Sequence, residues 1–379
     1  MNILIGRMKN RYINIEAHEA TMTFREPRYL GTLAAYLRSR LVTHVPFVLA
    51  HSITYGCNAH CKMCTYWRMS NRMKEDLPTV EVKSLLQEAY SFGMRSYYAF
   101  GGEPLIRRDL PEVISFAKKL GFLTMINTNG SLLREMAEGL GPNLDFAFVS
   151  LDYPNEYHDI MRGRKGSFRE VLDGIAALHE NGGTKVTLVT TISRLNFDKI
   201  VAMAELAERL GVGISYNTVE PTVSTAFEDG RTDSPVEDYG LSPHQLDDFY
   251  RTLLDLKKRG YPLMETEKVL EDYCLGRRYK CLFPRIFLYV SPEGKAFSCT
   301  YDHTFDLHQA SLKEYFASDL YHKHTHFAEN CNICLRTCVR MYSYTYAPEP
   351  LHFLELLSSV RLLTRQYPQA LAKMENLDS

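Results

Sequence analysis

Apolar and polar positions alternate along this chain in two registers, and the switch between them predicts its elements. Over residues 28–42, Leu30, Leu33, Ala34, Leu37 and Leu41 fall on one helical face, flanked by Arg28, Arg38 and Arg40. Pro46 then ends the helix, and the apolar run 45–53 reads as a first strand. Helix-period and strand-period segments follow in turn. Helices are predicted over 80–92, 110–120, 132–140, 168–181 and 197–210, and strands over 96–100, 123–127, 146–151, 185–192 and 213–217. Repeated strand–helix units build parallel sheets with right-handed crossovers. Six strands over about 170 residues suit an open, partial barrel better than a closed eight-unit one.

Beyond this region the pattern changes. Residues 221–240 are rich in Asp, Ser, Thr, Pro and Gly and read as a boundary or loop. Helices follow at 245–259 and 265–273, then a hairpin over 285–298 that turns at Ser291-Pro292-Glu293-Gly294. A last amphipathic helix is expected over 350–366, with Leu354, Leu357 and Val360 beside Arg361 and Arg365. The resulting division is an N-terminal segment with an amphipathic helix (1–44), an α/β partial barrel (45–222), a linker with helices (223–280), a cysteine-rich region (281–345), and a C-terminal helix and tail (346–379).

Composition narrows the function classes. The chain is 45% apolar and 23% charged with a formal charge of −1, which gives no support to a bulk nucleic-acid binder. Residues 1–14 lack the apolar core of a signal peptide, and no run of 18 apolar residues exists to span a bilayer. A cytoplasmic protein is expected. The two basic amphipathic helices leave two readings open: peripheral contact with the inner face of a membrane, or packing of both stripes on the barrel. Nine cysteines without a secretory signal point to metal binding rather than disulfides. Three lie at 57–64 and six at 274–338.

The first group, Cys57-x3-Cys61-x2-Cys64, directly follows the first strand. Three thiolates on a tight loop can hold three corners of an iron–sulfur cube and leave the fourth iron open to a ligand. A structural zinc site is the competing reading, but zinc sites close with four ligands, and His60 is the only local candidate for the fourth. The other unusual residues also sit where strands end. These are Gly101-Gly102-Glu103-Pro104, Asn129, Ser150 and Asp152. Taken alone, the Gly-Gly-Glu-Pro stretch is a common turn, and Ser150 and Asp152 could cap a helix.

With these residues together, the chain resembles the radical S-adenosylmethionine (radical SAM) superfamily, whose signature matches Cys57, Cys61 and Cys64 with Met63 in place of the usual aromatic. The resemblance implies a [4Fe-4S] cluster on those cysteines and S-adenosylmethionine on the open iron. A 5′-deoxyadenosyl radical would then abstract hydrogen from an unactivated carbon, with electrons from a donor such as flavodoxin or ferredoxin. It further implies a cofactor pocket formed by Met63, Gly101, Gly102, Glu103, Pro104, Asn129, Ser150, Asp152 and Arg162.

Cys281, Cys299, Cys331, Cys334 and Cys338 resemble the auxiliary-cluster extension called SPASM, or its shortened form, twitch. Five cysteines suit one auxiliary [4Fe-4S] cluster, with Cys281, Cys299, Cys331 and Cys334 as ligands and Cys338 either replacing one or free. Four cysteines are also a zinc pattern, so a non-catalytic zinc-binding interaction protein stays open here. Cys274 reads as a plain buried residue. Tyr301, Asp302 and His303 are candidate proton donors or acceptors, or else ordinary loop residues. For the substrate, 56 residues before Cys57 are too few for a peptide-binding module. A non-peptide small molecule, lipid-linked or carbohydrate-like, is therefore expected, with peptide modification as the alternative.

Overall fold

Why the strands stack into one sheet follows from their side-chain alternation. In the computed structural model, residues 27–64, 66–219, 236–297, 304–331 and 337–346 are described. Strands β1 (Val48–Thr54), β2 (Ser96–Gly101), β3 (Leu123–Thr128), β4 (Phe146–Ser150), β5 (Lys185–Ile192) and β6 (Gly213–Thr218) lie side by side, each parallel to the next. One set of alternating residues, Leu49, Ile53, Tyr97, Ile126, Val149, Leu188 and Ile214 among them, is fully buried in a single apolar core. That core is shared with helices α2 (Thr79–Phe92), α3 (Leu110–Leu120), α4 (Leu133–Leu140), α6 (Ser167–Asn181) and α7 (Ile200–Leu210). Short α5 (Tyr157–Arg162) precedes α6. The sheet is an open, partial barrel, as the six-unit pattern predicts.

What the periodicity does not foretell is the sheet's extension. The hairpin strands β7 (Phe287–Val290) and β8 (Lys295–Phe297), with the short β9 (Phe305–Asp306), complete a nine-stranded order β6-β5-β4-β3-β2-β1-β7-β8-β9. β7 runs parallel to β1, pairing Val48 with Phe287 and His51 with Val290. β1 is thus covered on both edges and buried at all seven positions. Helices α8 (Val236–Tyr239), α9 (Pro243–Lys258) and α10 (Glu267–Cys274) follow β6. The chain next to α10 extends the other sheet edge, with Leu263 bridging Ile214. After β9 come α11 (Leu312–Ala317), α12 (Asp319–Asn330) and α13 (Thr337–Tyr346).

The sheet face turned away from α2–α7 is paved with aromatic rings. Tyr98 stacks on Phe100 at 5.5 Å and meets Phe148 edge-on at 5.8 Å, while Phe100 meets Tyr289 at 5.6 Å. Helix α13 borders this face. Its Tyr342 packs on Phe287 at 4.9 Å, Leu282 N–H donates to Ser343 Oγ at 3.0 Å, and Tyr344 hydroxyl donates to Asp272 of α10.

Helix α1 (Pro27–Arg38) is one turn shorter than expected, because the chain widens into a π-type turn over Ser39–Thr43 that ends on His44 in a left-handed conformation. Its leucine stripe does not pack on the barrel. The buried face is the other one, where Ser39 Oγ donates to Val45 O (2.5 Å) and Tyr36 meets the Phe47 ring at 5.7 Å. The predicted helix over 350–366 lies outside the described residues, as does most of the polar stretch 221–240.

Burial also fixes a pH response. His51 on β1 is fully buried with Nδ1 3.2 Å from the Tyr97 hydroxyl, and burial pushes its pKa from 6.5 down to about 3. The folded state therefore resists a proton that the unfolded chain accepts. This group's contribution is complete above pH 6.5 and is lost as pH falls from there toward 3, by up to about 1.4 kcal/mol per pH unit. A His51→Gln variant should show a shallower fall of unfolding midpoint over that window in urea titrations, and an unchanged slope would refute the assignment.

Candidate active site

The site is built where β1, β2, β3 and β4 end. At the end of β1, Thr54 Oγ1 donates to Asp76 Oδ2 (2.5 Å) and Tyr55 N–H to Asp76 Oδ1 (3.0 Å), which turns the chain into the cysteine loop. Three neighbouring loops then fasten it. From the β2 loop, Gly102 N–H donates to Thr54 O (3.0 Å) and Glu103 N–H to Gly56 O (2.7 Å). Beyond β3, the Asn129 amide donates to Asn58 Oδ1 (2.8 Å), and the Asn58 amide donates to Ser131 Oγ (2.9 Å). Beyond β4, the end of α5 accepts from the loop: His60 N–H to Arg162 O (3.0 Å) and Lys62 N–H to Met161 O (3.1 Å).

Glycine is required where these backbones touch. A Cβ at Gly102 would stand 1.9 Å from Gly56 O, with only backbone to move. Gly163 has φ +58° and faces His60 O, 2.5 Å from where its Cβ would be. Gly102→Ala should therefore displace the cysteine loop and lower stability by about 1–3 kcal/mol. A melting temperature and an iron content equal to the parent's would show that the loop tolerates the added carbon.

Cys61 is buried, and Cys57 and Cys64 are half-buried. Burial is the main cause that pushes the Cys57 thiol up to about 12 and Cys64 to about 11, and Cys61 is raised as well. Left to themselves these thiols keep their protons at neutral pH, and binding a metal is what would displace them. Donors stand ready for the sulfurs. Tyr66 N–H lies 3.4 Å from Cys64 Sγ, and Arg162 Nη1 lies 3.8 Å from Cys61 Sγ. A buried cation and N–H groups aimed at sulfur are what an iron–sulfur cluster on three thiolates calls for. The residues present fit that group. Among the described residues no three of His, Cys, Asp and Glu converge as a site for a single metal ion. His60 is exposed, with its ring edge-on to Trp67 at 4.9 Å.

Arg162 is anchored by Asp152, with Nε 2.7 Å from Oδ2 as an ion pair rather than an aligned hydrogen bond. Asp152 is fully buried, and its Oδ1 accepts from Thr191 N–H at 2.9 Å. Asp152 N–H donates to His158 Nδ1 at 3.1 Å, so the His158 proton sits on Nε2. Asp152 is thus no helix cap. Glu103 is also fully buried and accepts from Leu105 N–H (3.0 Å), Thr128 Oγ1 (2.6 Å) and Asn129 N–H (2.6 Å). Burial raises its pKa while those three donors oppose the shift. This carboxylate fastens the β3 loop. Pro104 opens a short 3-10 turn, Pro104–Ile106, behind it. Gly101 closes β2 at φ +135°, Ser150 is half-buried at the end of β4, and Met63 is half-buried in the loop.

Of the second cysteine group, Cys281 is buried beside Leu282 and Phe283. Half-buried Cys331 caps α12, donating its N–H to Ala328 O at 3.0 Å. Cys338 lies on α13. Cys299, Cys334, Tyr301, Asp302 and His303 lie outside the described residues. Cys274 is half-exposed rather than buried.

One set of residues escaped sequence reasoning. The hairpin turn reaches the cysteine loop: Tyr55 hydroxyl donates to Glu293, Arg72 Nη2 stands 3.4 Å from Glu293 Oε1, and Leu77 N–H donates to Pro292 O at 2.7 Å. Arg72 also lies over the Tyr55 ring at 4.4 Å. A glutamate in the turn, with only Lys295 as a local basic partner at 3.8 Å, was the signal on offer.

A family model described as Radical SAM superfamily matches residues 51–207. Fe-coproporphyrin III synthase of Methanosarcina barkeri is 37% identical over 42% of this chain, and that match spans only 41% of its own length. AdoMet-dependent heme synthase of the same organism is 30% identical over 69% of this chain and 78% of that protein. PqqA peptide cyclase of Granulibacter bethesdensis is 27% identical over 73% and 74%. Among solved structures, Streptococcus suis SuiB bound to S-adenosylmethionine superposes with a TM-score of 0.59 over 86% of this chain and 78% of that one, at 16% identity, a likeness of fold.

Proposed function

The chain belongs to the radical SAM superfamily, and on that premise we propose that Cys57, Cys61 and Cys64 hold its [4Fe-4S] cluster and that its substrate is a largely apolar, non-peptide small molecule. When bound, cluster and S-adenosylmethionine supply a 5′-deoxyadenosyl radical that takes hydrogen from carbon. The protein's part is to hold and to shield. Gly101 and Gly102 bring backbone close to the cysteine loop, and Asn129 braces it through Asn58. Arg162, held by Asp152, places a positive charge beside Cys61. In the auxiliary region, Cys281 and Cys331 join Cys299, Cys334 or Cys338 as ligands of a second [4Fe-4S] cluster. Tyr301, Asp302 and His303 remain candidates for proton transfer, and a flavodoxin- or ferredoxin-type protein is the proposed electron donor.

The observation that carries the substrate reading is the aromatic paving of the inner face, Tyr98, Phe100, Phe148 and Tyr289, on the sheet whose strands β1 and β2 lead into the cysteine loop and Gly101–Gly102. Rings offered at these angles suit an apolar or flat ligand. Two relatives at 30% identity or more are named for iron-coproporphyrin and heme synthesis, which is non-peptide chemistry. Neither is named for a lipid or a sugar. A peptide substrate is the other reading and has the greater support from the comparisons, through the PqqA peptide cyclase that matches along nearly three quarters of both chains. Formation of 5′-deoxyadenosine by the reconstituted enzyme, compared with iron-coproporphyrin, a total lipid extract and a peptide library, separates the two. Turnover of a peptide alone would sink the first.

A further inference from the structure

Helix α1 lies at the strand ends opposite the cysteine loop, with Thr32 Oγ1 donating to Arg95 O just before β2 (3.3 Å) and Arg28 paired with Asp145 just before β4 (3.4 Å). Leu30, Leu33, Leu37 and Leu41 recur along the helix's outward face every three or four residues, and with Val42 they are 54%, 38%, 41%, 69% and 73% exposed. An apolar stripe of this kind in water is costly unless something covers it. Exposed Arg38 and half-buried Arg40, whose Nη1 also donates to the Tyr36 hydroxyl at 3.2 Å, stand on opposite flanks of the stripe, and residues 27–44 contain no Asp or Glu. The opposite face is fixed to the body of the protein through Tyr36 and Ser39, so the stripe is presented on a rigid mount. The last described residue, Tyr346, is locked on the same mount, its hydroxyl 2.8 Å from Ser39 Oγ and its ring 6.1 Å from Tyr36. From that point the chain runs into the second basic amphipathic stretch, with Arg361 and Arg365. Two such segments therefore enter and leave the fold at one place.

We propose that this face is a peripheral contact surface for an anionic lipid bilayer, the leucines entering the interface and Arg38 and Arg40 meeting lipid phosphates. Leucine for depth, arginine on the flanks and no acidic residue to oppose a negative surface is the pattern of an interfacial helix. No helix among the described residues is long and apolar enough to cross a membrane, so the contact is one of lying on the surface. The inference stands whichever substrate the site takes.

The test is sedimentation of the full-length, cluster-reconstituted protein with vesicles of phosphatidylcholine alone or mixed with phosphatidylglycerol. The protein should bind the mixed vesicles, and Leu33→Glu/Leu37→Glu should weaken binding by at least about tenfold. Arg38→Ser/Arg40→Ser should weaken it by about fivefold per arginine on mixed vesicles and leave phosphatidylcholine binding unchanged. Both variants should melt within a few degrees of the parent, because Leu33, Leu37 and Arg38 are exposed and Arg40 gives up one hydrogen bond, to the Tyr36 hydroxyl. Absence of vesicle binding by the parent, or equal binding by the leucine variant, overturns the proposal. So does a leucine variant that melts early, which would mean that residues 347–379 cover the stripe. A leucine variant that instead dissociates a dimer in light scattering would assign the face to a second copy.

Discussion

Alanine at Cys57, Cys61 or Cys64 is expected to abolish reductive cleavage of S-adenosylmethionine and to halve the iron content, from about eight per chain to about four. The effect is complete because the three thiols are not interchangeable with any neighbour. His60 is exposed and turned to Trp67, so no local side chain substitutes for a lost sulfur. The fold should survive. The loop is held by backbone bonds to Gly102, Glu103, Met161 and Arg162, none of which needs a thiol. Iron and sulfide analysis after anaerobic reconstitution, with 5′-deoxyadenosine measured under dithionite, reads both effects. A Cys61→Ala protein that retains all its iron and cleaves the cofactor would remove these residues from the site.

The second large effect is expected at the buried pair behind that loop. Arg162 is 12% exposed at its side chain and Asp152 is not exposed at all. Arg162→Met would leave the Asp152 carboxylate buried with Thr191 N–H as its remaining donor, a loss of about 3–5 kcal/mol. The sulfur of Cys61 would lose its nearest cation at the same time. Replacing both, as Asp152→Asn/Arg162→Met, removes the stranded charge and should cost less than the single change. Urea unfolding of the three variants measures this coupling. Additive losses would mean that the two residues do not act as a pair.

The barrel was legible because its strands and helices differ in period, and because the helices of β–α units are amphipathic by necessity. The cysteine loop was legible because its spacing is local. What could not be read is whatever depends on distant pairing. Nothing near Val48 announces that Phe287 will lie beside it, since strand partners are chosen by register and burial across the whole chain. Glu103 read as a ligand acceptor because an acid after two glycines at a strand end suggests one, whereas its bonds to Thr128 and Asn129 are visible only in three dimensions. For α1 the stripe itself was legible, but not its direction. Periodicity marks an apolar face, and only the contacts of Tyr36 and Ser39 show that this one points outward.

The pairing of β1 with β7 bears on how the protein is made. Tyr55 and Glu293 are 238 residues apart in sequence, so the loop that carries the cysteines acquires its last supports only after residue 293 has been synthesised. Until then the nascent β1, which the finished fold buries on both faces, has an open edge that invites the wrong neighbour. Fragments ending before residue 287 should therefore aggregate when expressed. Iron–sulfur assembly machinery would meet a finished loop only after the β7–β8 hairpin has paired with β1.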